Sequence, residues 1–101
     1  MNIENLDINY AIEFLNSVGY SWDGSIVGNN EKPKTIYDFF YPQDILLINS
    51  ENNEELVGLQ LYDECTDLPY FSLYKKHEVN SYTEMLNFTE QWTTFLKNKQ
   101  I

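Results

Sequence analysis

The chain is expected to fold as an α+β domain, an antiparallel sheet of at least three strands packed against an amino-terminal and a carboxyl-terminal helix. Three observations predict this. Apolar residues recur at helical spacing near both ends, the middle of the chain alternates as strands do, and the changes of pattern fall on Gly, Pro, Asn or Asp. With 101 residues, 43% apolar and 22% charged, the chain makes a single globular domain over 1–101. A chain of this size buries somewhat over ~60% of its unfolded surface, so it needs no metal or disulfide staple.

Ala11, Phe14, Leu15 and Val18, flanked by Ile8 and Ile12, define the first helix, with Asp7 as its cap and Gly19 as its stop. Tyr20 is placed to fold back onto the last turn. Residues 21–34 read mostly as loop, because Asp23-Gly24 and Gly28-Asn29-Asn30 are turn formers around a short Ser25-Ile26-Val27 piece, with a brief strand there as the alternative. Residues 35–41 suit one or two helical turns capped by Thr35 and ended by Pro42, or equally an aromatic-rich strand; the helix is favoured.

Asp44 to Asn49 reads as a strand whose four consecutive aliphatics imply burial on both faces. Leu56 to Tyr62 is a second, with Val57, Leu59 and Leu61 on one side. The polar stretch 50–54 joins them as a hairpin connection. After a turn carrying Asp67, Leu68 and Pro69, a third strand from Tyr70 to Lys75 sets Phe71 and Leu73 against Tyr70, Ser72 and Tyr74. The last helix opens on Ser81-Tyr82-Thr83-Glu84, a capping box in which Ser81 and Glu84 exchange side-chain to amide hydrogen bonds. Tyr82, Met85, Leu86, Trp92 and Leu96 form its stripe, Phe88 and Phe95 widen it, and the helix is expected to lie across the sheet.

The amino terminus carries acids where a secretory signal carries Lys or Arg, and the longest apolar run, Ile45 to Ile48, falls far short of the ~20 residues of a membrane helix. A lone Cys65 suits a reducing compartment. A cytoplasmic protein is expected.

Chemistry-bearing patterns are sparse. His77, the only histidine, has no companion at triad or zinc spacing and reads as a surface residue. Acidic neighbours disfavour Cys65 as a nucleophile. Asp63, Glu64 and Asp67 lack the alternate spacing and glycine of a calcium loop. Gly19, Gly24 and Gly28 are too far apart to cradle a phosphate. No catalytic residue, cofactor site or metal site is assigned, and the chain is not expected to be an enzyme.

Charge and aromatics carry the usable signal. Sixteen acids against six Lys and no Arg give a net charge of -10, which repels nucleic acid and anionic membrane as direct partners. The charge is segregated: residues 35–74 hold eight acids and no Lys, whereas residues 75–101 hold four Lys and three acids. Glu51, Glu54 and Glu55 cluster on one connection, and Asp63, Glu64 and Asp67 on the next. Successive strands reverse direction, so these two loops are expected at opposite ends of the meander. Tyr62, Tyr70 and Tyr74 fall beside them, and tyrosine among acids is a composition suited to binding proteins. These nine residues are the candidate partner-binding set; a rim of core tyrosines with acids kept for solubility is the plain alternative.

In size, acidity and lack of catalytic residues the whole chain resembles the small acidic immunity proteins that bacteria pair with polymorphic or contact-delivered toxins. It also looks like phage-encoded DNA mimics of the anti-CRISPR or uracil-glycosylase inhibitor type. The resemblance implies an inhibitor whose carboxylates stand where phosphates would, in the basic cleft of a nuclease toxin domain. It includes no motif, so it assigns no residue. A second class of function is a small enzyme or a binder of a cationic ligand, built from Trp22, Tyr37, Tyr41 and scattered carboxylates.

Overall fold

The computed structural model describes residues 6–27, 34–53, 55, 57–75, 78–79 and 81–99. Helix α1, Asn9–Ser17, turns its Ala11, Phe14 and Leu15 stripe inward. The Asp7 carboxylate accepts the Asn9 amide at 2.8 Å, so the acid works at the helix start as expected, although Ile8 holds the cap position itself. Gly19 ends the helix with φ +95°, a left-handed conformation that suits a residue without a β-carbon.

Tyr20 continues directly into a strand and packs against the core. It opens β1, Tyr20–Ile26, which pairs antiparallel with β2, Gln43–Asn49, from Tyr20 opposite Asn49 to Ile26 opposite Ile45. The loop expected over 21–34 is therefore a strand in its first part, while residues 28–33 lie outside the described set. Asp23-Gly24 misled because it marks a bulge rather than a hairpin turn: Gly24 has φ +90° and the register shifts between Trp22 and Ile26. Asp23 accepts the Ser25 amide, and the Trp22 indole donates to the Ser25 carbonyl at 2.8 Å. The strand's own side chains thus hold the backbone groups that the bulge releases.

β3, Val57–Asp63, and β4, Leu68–Lys75, continue the meander, and a two-residue β5, Glu78–Val79, closes the order β1-β2-β3-β4-β5 with every pair antiparallel. The expected architecture holds, with two strands more than the three read from the sequence. Burial alternates on β2: Ile45 and Leu47 are fully buried while Leu46 is exposed, so one face of that strand is covered and not both. The β3–β4 turn is also tighter than expected. It occupies 64–67, with Asp67 at φ +56°, and Leu68 and Pro69 already belong to β4. Pro69 stands near the start of that strand, beside a register shift between Gln60 and Tyr62, where a missing amide costs the ladder little.

The segment after β1 contains a 3₁₀ turn, Ile36–Phe39, started at Thr35, whose amide is held by the Asp38 carboxylate. β2 begins opposite Leu59, so the second half of β3 has no strand on that side. The turn takes that place. The Gln60 side-chain amide donates to the Phe40 carbonyl at 3.2 Å, and Ile36 and Phe39 complete the core.

α2, Tyr82–Lys99, does not lie across the sheet as expected but along the outer edge of β4. Phe71 donates its amide to the Thr89 hydroxyl at 3.0 Å, and that hydroxyl turns back to the Phe71 carbonyl at 3.4 Å. A helix side chain thus occupies an edge strand's backbone groups, one way of preventing edge-to-edge pairing. Towards its start α2 sets Met85 against the Tyr70 and Ser72 hydroxyls. Ser72 is fully buried there, although alternation placed it outward. Farther on, Trp92 enters the core, gives its indole proton to the Leu61 carbonyl at 3.0 Å, and meets Phe14, which in turn touches Phe71 and Phe95. The stripe is therefore split: Trp92 and Leu96 are buried, whereas Tyr82 and Leu86 are 71% and 53% exposed. In the first turns of α2 Met85 is the side chain set against β4, while Tyr82 and Leu86 are left facing solvent. Ser81 accepts the Glu84 amide at 3.2 Å, the expected half of the capping box; Glu84 returns to the Ser81 hydroxyl at 3.4 Å.

Candidate protein-binding surface

β3 separates the acidic candidates into two groups. Its seven residues, at a rise of ~3.3 Å each, hold its ends about 20 Å apart. At one end is the β2–β3 connection with Glu51 and Glu55, both exposed; Glu54 lies outside the described residues. At the other are Asp63, Glu64 and Asp67, together with Tyr62 and Tyr70. Tyr74 belongs to the first end, paired with Gly58, where a β-carbon would stand 3.3 Å from that of Tyr74. The eight described candidates thus form two sites, as the reversal of strand direction foretold for the loops.

The β2–β3 connection is polar. Asn49 accepts the Glu51 amide at 2.8 Å and Asn53 adopts φ +58°, so the turn is held by Asn side chain and backbone. Residues 49–55 include no aromatic side chain.

The β3–β4 end is built differently. Asp63 accepts the Cys65 amide at 3.0 Å, and its carbonyl accepts the Asp67 amide at 2.8 Å, so the turn closes on itself. The Tyr62 hydroxyl donates to the Asp67 carboxylate. Only Glu64 of the three acids has no hydrogen bond or ion pair through its side chain among the described residues. Tyr62 is itself nearly closed off from solvent, so it backs this surface and does not present it. Its ring meets Tyr37 at 5.5 Å; Tyr37 stacks on Phe40 at 5.2 Å, and Phe40 meets Tyr41 edge-on at 4.5 Å. A continuous aromatic strip therefore runs from the acidic turn to Tyr41, which is 53% exposed. Sequence reasoning missed this strip as part of the surface, because Tyr37 and Tyr62 are 25 positions apart in the sequence. The signal available was the aromatic density of 37–41 beside a turn-forming Pro42.

Tyr70 is half-buried beneath α2. Burial pushes its phenol above the ordinary value of 10.0, Tyr74 and Asp63 add to the shift, and a hydrogen bond with Ser72 opposes it. Trp22, Tyr37 and Tyr41 do not assemble into a ligand pocket: Trp22 is sealed in the core against Phe39, with its indole N–H committed to Ser25. No group of three or more His, Cys, Asp or Glu is arranged to hold a metal among the described residues. Cys65 is exposed on the turn, and His77 lies outside the described residues. An open groove of about 490 Å³ runs between α1 and α2 past Ser17, Gln91 and Phe95. At that side of the molecule Lys99 bridges to Glu13 at 2.9 Å and lies over the Phe95 ring. Among the described residues no helix is long and apolar enough to cross a membrane. No protein-family model matches the chain, and neither a curated protein nor a solved structure does.

Proposed function

We propose that this protein is a cytoplasmic, non-enzymatic inhibitor of the immunity type, which binds a basic protein partner and occludes the nucleic-acid cleft of a nuclease toxin domain. The observation that carries this reading is the β3–β4 end, where a self-closed turn presents three acids, two of them fixed by hydrogen bonds, against a strip of aromatic rings. Carboxylates there stand in for phosphates, while the net charge of -10 steers the encounter. Rings that are already packed lose little entropy when a partner covers them, and such residues carry most of the energy of protein interfaces. The glutamates of the β2–β3 connection, about 20 Å away, contribute to the long-range field rather than to the contact.

The test is binding to, and inhibition of, a nuclease domain encoded beside this chain. The expected result is a stable complex with loss of nuclease activity, and an association rate that falls as salt rises. A complex that leaves nuclease activity untouched overturns the occlusion. Failure to bind any basic neighbour-encoded domain overturns the reading as a whole.

A further inference from the structure

The strip of Tyr41, Phe40 and Tyr37 has a chemical preference that the acids alone would not have. We infer that it is a docking ridge for an arginine side chain of the basic partner, an inference that rests on the function proposed above.

Two of these rings are partly open to solvent, and Tyr41 is more than half exposed although it packs edge-on against Phe40. The ring is held in place, and water is left on its remaining surface. At its inner end the strip reaches Tyr62, whose hydroxyl is bound by Asp67, with Asp63 and Glu64 on the same turn. Asp38 lies between Tyr37 and Phe39 on the 3₁₀ turn, its carboxylate turned back to the Lys34 and Thr35 amides. The rings are thus apolar in surface, with acids at their inner end and the Asp38 carboxylate beside them, next to Lys34, a setting that selects a cation with a flat, weakly hydrated face. Guanidinium meets that description: it stacks on aromatic rings and pairs bidentately with carboxylate. Ammonium is compact and strongly hydrated, and gains less from a ring. A purely electrostatic surface would treat the two alike.

The experiment titrates the full chain with nona-arginine and with nona-lysine at physiological salt, following affinity by calorimetry and location by NMR. The expected result is tighter binding of nona-arginine by about two- to fivefold, the range of one exposed cation–π contact. Its largest shifts fall on the rings of Tyr37, Phe40 and Tyr41, and the amides of Glu51 and Glu55 move little. Tyr41→Leu, which keeps apolar area but removes the π face at an exposed position, abolishes the preference by weakening nona-arginine binding more than nona-lysine binding. Equal affinity for the two peptides, or a preference that survives Tyr41→Leu, overturns the arginine ridge and leaves the acidic-inhibitor reading standing. Binding of neither peptide sinks both.

Discussion

The two ends of β3 carry nearly the same charge and do different things with it. At the β2–β3 connection Glu51 and Glu55 stand in water on a turn held by Asn49, a stretch that itself contains no aromatic residue. At the β3–β4 end two of the three acids are structural: Asp63 closes the turn and Asp67 accepts the Tyr62 hydroxyl. About 20 Å separates the ends, more than twice the ~8 Å over which physiological salt screens exposed charges. They therefore act as separate surfaces. A count of carboxylates treats them alike, whereas what lies beneath each carboxylate distinguishes them.

The largest way to break the comparison is to remove what supports the β3–β4 end from below. Trp92 is fully buried, and its indole ties α2 to the Leu61 carbonyl, one residue before Tyr62. Trp92→Ala is expected to cost about 3 to 5 kcal/mol, the range for deleting a buried aromatic side chain. Chemical denaturation of the variant measures it, and a loss under about 1 kcal/mol would show that the edge-crossing helix is not what holds this end. A smaller effect isolates the surface itself. Tyr62→Phe keeps the ring contact with Tyr37 but leaves Asp67 without its donor, so it is expected to cost about 0.5 to 1.5 kcal/mol. No change at all would show that the turn is closed by its backbone alone.

Which parts of this arrangement were legible in the sequence follows from the range of the forces involved. The α1 stripe, the Val57, Leu59 and Leu61 face and the Ser81 start of α2 are local patterns, each readable within a few residues, whereas residues 35–41 also fitted an aromatic-rich strand, an alternative that the 3₁₀ turn removes. The strand at Tyr20–Ile26 was not. Its signature is interrupted by Asp23-Gly24, and only pairing with β2 shows that this dipeptide is a bulge. The exposure of Tyr82 and Leu86 depends on α2 lying at an edge, a fact set by Thr89 meeting Phe71 eighteen residues away. For the candidate surface, opposite ends for the two acidic loops came from strand direction alone. The aromatic strip did not, because the 3₁₀ turn reaches β3 only where β2 has not yet begun.

Charge reversal sharpens the comparison with the least structural disturbance. Reversing Asp63, Glu64 and Asp67 together would mix steering with turn stability, since two of the three hold the turn. Glu64→Lys is the clean variant, matched by Glu51→Lys at the other end; both side chains are exposed, and each change is expected to alter stability by less than about 0.5 kcal/mol. With a basic partner at low salt, both should slow association severalfold through the long-range field. Only Glu64→Lys should also speed dissociation, because it places a cation within the contact. Equal dissociation rates for the two variants would remove the distinction between the ends.

The smallest expected effect is a pH dependence from Tyr70, on the β3–β4 side. Burial raises the Tyr70 phenol above 10.0, helped by Tyr74 and Asp63 and opposed by Ser72, so the folded protein holds this proton more tightly than the unfolded chain does. Below pH 10 both states keep the proton and the shift has no consequence. As pH rises past the unfolded value the unfolded chain ionises first, and stability falls until the folded phenol ionises too. Ionisation also removes the donor that the Met85 sulfur accepts at 3.4 Å. Tyr70→Phe takes this group out of the balance, so its stability should decline less than that of the unaltered protein between neutral pH and the region above pH 10. Denaturant midpoints across that range measure the difference; parallel curves for the two proteins would mean that α2 does not shield Tyr70 from water.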